Sequence, residues 1–85
     1  MGKKITWEGL AQALASALLQ TGIIYSPTGV PPNCIVELAR KHVRNPGLVV
    51  DMVLASPQFL QHLGPNRFAD GLHEAVKALL PEIKP

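Results

Sequence analysis

Thr6-Trp-Glu-Gly-Leu-Ala-Gln-Ala-Leu-Ala-Ser-Ala-Leu-Leu-Gln-Thr-Gly22 is the stretch that decides the fold. Trp7, Leu10, Leu14, Ala17 and Leu18 recur at three- and four-residue spacing, the period of one helix face. Gln12, Ser16 and Gln20 draw a polar line along the same helix. Thr6 can cap the first turn, and Glu8 sits where the helix dipole favours an anion. Ile5 and Leu10 have the spacing of a hydrophobic staple. Gly22 fits the position just past a helix end, so a helix from about Trp7 to Thr21 is predicted. Ala11, Ala13, Ala15 and Ala17 keep its surface small, which lets a second helix approach closely. A membrane span needs about 20 predominantly apolar residues, and this stretch is too short and too interrupted to be one.

Outward from this helix, proline and glycine divide the chain. The largest break is the loop Gly22-Ile-Ile-Tyr-Ser-Pro-Thr-Gly-Val-Pro-Pro32, followed by breaks at Asn45-Pro46-Gly47, Ser56-Pro57 and Gly64-Pro65-Asn66. A second helix is predicted from Cys34 to Arg44 with Asn33 as its cap. Ile35, Leu38, Ala39, His42 and Val43 share its inner face, and Glu37 and Lys41 are spaced to pair. A third, from about Pro46 to Ala55, carries one charge, Asp51. A helix so apolar all round is expected to be buried all round. A short fourth helix spans Pro57 to Leu63. A fifth spans about Arg67 to Leu80, with Phe68, Leu72, Ala75, Val76 and Leu79 facing inward. The predicted fold is all-α, a compact bundle of four to five short helices with one long Pro/Gly loop. Residues 1–85 are read as a single helical domain.

Composition agrees. A chain of 85 residues makes one domain. With 47% hydrophobic and 16% charged residues it is too apolar for disorder. One Cys excludes a disulfide framework and a Cys-based zinc site. His42, His62 and His73 form no pair at helical spacing, so no metal is expected. Cys34 reads as a small apolar residue at a helix start rather than a reactive thiol. There is no Gly-rich phosphate loop, no nucleophile elbow and no paired carboxylates. The expectation is a protein that is not an enzyme, uses no cofactor and resides in the cytoplasm.

Two stretches resemble known families. Met1-Gly2-Lys3-Lys4-Ile5-Thr6 fits an N-terminal acyl-acceptor pattern, and a small helical domain beginning this way resembles a retroviral matrix domain. That resemblance implies acylation at Gly2 and a peripheral membrane location, with Lys3 and Lys4 adding attraction to anionic lipid. Asn45 to Leu63, with Asn-Pro-Gly-Leu and then Ser-Pro-Gln-Phe-Leu-Gln-His-Leu, resembles the helical motifs of ubiquilin and Hop-type co-chaperones. Those motifs imply a groove for apolar helices. The family's Met- and Gln-rich composition is missing, since only Met1 and Met52 occur.

Residues 9–36 contain no charged side chain. This uncharged helix and loop exceed what a small core needs, and interface cores are depleted in charge. The leading expectation is therefore a non-enzymatic protein–protein interaction domain, an adaptor, inhibitor or self-associating module. Its binding residues would be Ile23, Ile24, Tyr25 and Val30, with Ile24 and Tyr25 on an intermolecular surface. The alternative is an N-myristoylated, membrane-associated domain. Third stands a weak DNA-binding regulator. The net charge of +2 is small for nucleic acid, and the helix that would enter a groove is apolar. Arg40, Lys41 and Arg44, with Lys3 and Lys4, are the candidates for phosphate or lipid contact.

Overall fold

Residues 5–81 are described by the computed structural model. α1 spans Trp7–Gln20, α2 Asn33–Lys41, α3 Pro46–Ala55 and α4 Leu72–Ala78, with a 3-10 helix at Pro57–His62 between α3 and α4. The fold is a small all-α bundle.

α1 begins and ends as its sequence dictates. The Thr6 hydroxyl accepts from the Gly9 N–H at 2.9 Å, which satisfies an otherwise unpaired donor of the first turn. At the other end Gly22 adopts φ +81, a region other residues enter only with strain. The Gly22 N–H then donates to the Leu19 carbonyl and the Ile23 N–H to the Leu18 carbonyl, both at 3.1 Å. This paired closure turns the chain back toward the bundle. Leu10, Ala11, Leu14, Ala15, Ala17 and Leu18 are buried, so α1 is the central element. It packs chiefly on α2 and also meets α4, while α3 touches both α2 and α4. Trp7, expected on the inner stripe, instead lies exposed at the first helical position.

Proline sets the limits of α2 and α3. Pro32, not Asn33, holds the cap position of α2, and its carbonyl accepts from Ile35 and Val36. α2 ends at Lys41 rather than Arg44. Pro46 pushes Asn45 out of helical backbone, to φ −132 and ψ 78, and the chain turns between His42 and Asn45. Glu37 and Lys41 make no ion pair among the described residues. Asn45 then caps α3 through its side chain, which accepts from the Leu48 N–H at 3.2 Å. Val49, Val50 and Val53 are buried, but Leu48 is exposed and Met52 and Leu54 are half-buried, so α3 is not covered on every side.

The predicted fifth helix is much shorter than its apolar pattern suggested. Gly71 takes φ +73, and the stretch from Gly64 to Gly71 is turn rather than helix. α4 therefore starts at Leu72, and it stops at Ala78. Leu72 and Val76 are buried as expected, while Phe68, Ala75 and Leu79 are exposed, not inward-facing.

A backbone clasp joins the two ends of the bundle's middle. Residues 22–25 run antiparallel to residues 62–66, with an isolated bridge between Ile24 and Leu63. Tyr25 donates to the His62 carbonyl at 2.7 Å, Gly64 to Ile23 at 2.8 Å and Asn66 to Gly22 at 3.0 Å. The Asn66 side-chain amide also donates to the Thr21 carbonyl at 3.1 Å, satisfying a terminal acceptor of α1.

Candidate functional site

The clasp overturns half of the expected binding surface. Ile23 and Ile24 are not exposed: they sit in the core at 0% and 1% exposure. The closure at Gly22 directs them inward: both N–H groups donate to the Leu18 carbonyl, and the Ile23 carbonyl accepts from the Gly64 N–H across the clasp. Tyr25 and Val30 do stand on the surface. Gly2, Lys3 and Lys4 lie outside the described residues.

Among the described residues the two most exposed large apolar side chains, Phe68 and Leu60, share a groove elsewhere. Leu54 from the end of α3, Leu60 and Leu63 from the 3-10 segment, and Arg67 and Phe68 from the following turn line a groove of about 410 Å³. At three residues per turn adjacent side chains are turned about 120° apart, so Leu60 points away from the direction in which Phe59 is buried. Phe68 is 82% exposed and Leu60 65%. Arg67 braces this edge. Its guanidinium lies 4.8 Å from the centre of the Phe68 ring and donates to the Gly64 carbonyl at 3.2 Å. Tyr25 is anchored by its own N–H to the segment that supplies Leu60 and Leu63.

A second concavity, also of about 410 Å³, forms where α2 ends beside the start of α1. It brings together Trp7, Arg40, Lys41, His42, Arg44 and Asn45. Arg40 grips the Glu8 carboxylate with three hydrogen bonds of 2.7–3.1 Å. Arg44 lies over Trp7, 5.1 Å from the ring centre. The structure thus unites the three described basic candidates of the sequence and adds an aromatic ring that sequence reasoning had assigned to the core.

Bonding to Arg40 holds the Glu8 carboxyl below its ordinary pKa and raises that of Arg40. A carboxylate with a lowered folded-state pKa stabilises the fold above its unfolded pKa, and the effect fades as pH falls through the folded value. Both partners are exposed, so the gain is small. Glu8→Gln is expected to lower Tm slightly near neutral pH, and the difference from wild type should vanish in acid. A gap that persists at acidic pH would mean that Glu8 acts through packing instead.

The remaining polar groups are dispersed. His73 bonds Asp51 at 2.9 Å across α4 and α3, His42 closes α2, and His62 ends the 3-10 helix. Cys34 is exposed in the first turn of α2 and lines a pocket with Glu37, Lys41 and Gln58. Among the described residues no polar or charged side chain is buried, no cluster could hold a metal ion, and no helix is long and apolar enough to cross a membrane. Comparison with protein-family models, curated proteins and solved structures finds no match.

The groove carried a signal that the sequence reading passed over. Asp70-Gly71 is a turn dipeptide, and placing a break there would have moved Phe68 out of the last helix. The three-residue spacing of Leu60 and Leu63 after Ser56-Pro57 likewise fits a 3-10 turn.

Proposed function

We propose that the chain is a non-enzymatic protein-interaction domain whose contact surface is the groove of Leu54, Leu60, Leu63, Arg67 and Phe68. The observation that carries this reading is Phe68, 82% exposed beside the exposed Leu60. Two large apolar side chains together in water at the edge of a groove are favoured only if another surface covers them. Aromatic and Arg side chains are also the residue types that anchor protein interfaces. Arg67, held against Phe68 and Gly64, fixes the aromatic ring before contact, which lowers the ordering cost of association.

The partner is a second copy of the chain or a different protein with an apolar anchor. Sedimentation of the purified chain tests the first, and affinity capture from the native host tests the second. Phe68→Asp is expected to retain the helical circular dichroism and Tm of wild type, because Phe68 contributes little to the core. It should weaken whichever association is found by about a hundredfold, the scale expected for an interface hot spot. An association untouched by both Phe68→Asp and Leu60→Asp would remove the groove from the reading.

A further inference from the structure

We propose that the basic concavity at the junction of α1 and α2 is a contact site for the phosphate headgroups of an anionic lipid surface, independent of any acyl chain. The groove of Leu60 and Phe68 plays no part in it. The site follows from how the two helix ends meet. Pro46 stops α2 at Lys41, and the turn from His42 to Asn45 carries Arg44 back over the face of Trp7. The Arg40–Glu8 pair fastens the end of α2 to the first turn of α1. Glu8 thereby neutralises Arg40. Lys41 and Arg44 form no ion pair among the described residues, so two positive charges flank a half-exposed indole.

The chemistry of those groups selects the ligand. Arg44 offers a planar fork of N–H donors suited to phosphate oxygens, and Lys41 offers a compact charge beside it. Its stacking on Trp7 holds the guanidinium in place before any ligand arrives. Trp is the side chain best suited to the boundary of water and lipid, with an apolar ring and one polar N–H. Three of the five Lys and Arg side chains among the described residues, Arg40, Lys41 and Arg44, line this one concavity. A nucleic acid would call for positive charge spread along a track, whereas Arg40, Lys41 and Arg44 gather at one corner, with the other described cations, Arg67 and Lys77, away from it in the turn after the 3-10 helix and on α4. A leaflet of negative headgroups needs only such a corner, since each basic residue at its surface adds attraction.

Trp7 is the chain's single tryptophan, so its fluorescence reports this site alone. The unacylated full chain is mixed at low salt with vesicles of phosphatidylcholine, with and without about one-third phosphatidylserine. Expected are a blue shift of Trp7 emission and co-sedimentation with the serine-containing vesicles, both diminished as salt is raised. Lys41→Gln and Arg44→Gln, both exposed and outside the core, should each reduce co-sedimentation about fivefold, while Lys77→Gln on the exposed face of α4 leaves it unchanged. Equal partitioning onto pure phosphatidylcholine, or indifference to both variants, overturns the proposal. So does an equal Trp7 response to inorganic phosphate or to a single-stranded oligonucleotide without vesicles, which would assign the pocket to a soluble ligand.

Discussion

Ile24→Lys is expected to unfold the protein. Ile24 is 1% exposed, its N–H donates to the Leu18 carbonyl at 3.2 Å, and it bridges Leu63. The substitution removes a buried aliphatic side chain, which alone costs about 2–5 kcal/mol. It also buries an ammonium group in a core where the described residues offer no polar or charged side chain to pair with it. That adds several kcal/mol more. A domain of this size has a total stability of about 5–10 kcal/mol, so little or none remains. Circular dichroism at 25 °C should show loss of helix or a melt displaced to low temperature. Val30→Lys, on the exposed part of the same loop, should melt like wild type. A folded Ile24→Lys with unchanged Tm would place Ile24 on the surface and break the clasp described above.

Gly64→Ala is expected to be nearly as damaging, although it adds one methyl group. Gly64 is buried beneath the loop that crosses it. A Cβ there would overlap the Gly22 carbonyl oxygen and lie 2.9 Å from the Ile24 carbonyl oxygen. Both are backbone atoms and cannot swing aside as a flexible side chain would. Relief requires the two segments to separate, which sacrifices the bonds from Gly64 to Ile23 and from Asn66 to Gly22. Each is worth about 1 kcal/mol, and the apolar surface uncovered beneath them adds to the loss. A domain this small loses about 4–8 °C of Tm per kcal/mol, so Tm should fall by about 15 °C or more. A drop of only a few degrees would show that the crossing is looser than drawn.

The elements that depend on neighbouring residues were legible from the sequence. Thr6 and Gly22 bound α1, and Asn45 with Pro46 opens α3, because capping and proline sterics act within a few residues. The fate of Ile23 and Ile24 was not legible. Their burial depends on residues 62–66, some forty positions away, and nothing in the loop itself announces that pairing. The charge-free run from 9 to 36 suggested a partner surface, but the structure gives it a different cause. α1 is the central helix and Ile23 and Ile24 continue the core, so the run has few positions where a charge could reach water. Phe68 was misplaced for the opposite reason. Its spacing to Leu72, Val76 and Leu79 matches a helix, yet Gly71 interrupts the chain between them. Trp7 was misplaced because periodicity states which residues share a face, not whether the covering of that face extends to the first turn.

The clasp also governs what happens before the chain is folded. Its two sides are joined by the whole of α2, α3 and the 3-10 helix, so it closes a loop of about forty residues and pays that entropy late. Until it closes, Ile23, Ile24 and Tyr25 are a β-prone run in which the Tyr25 N–H and the Ile23 carbonyl lack their partners. The nearest charges in the sequence are Glu8 on one side and Glu37 on the other. No like-charge repulsion keeps two such segments apart, and no proline interrupts them before Pro27. The same residues that seal the finished bundle are therefore the point at which crowded, half-made chains stick to one another, and dilution or low temperature during refolding acts on this segment first.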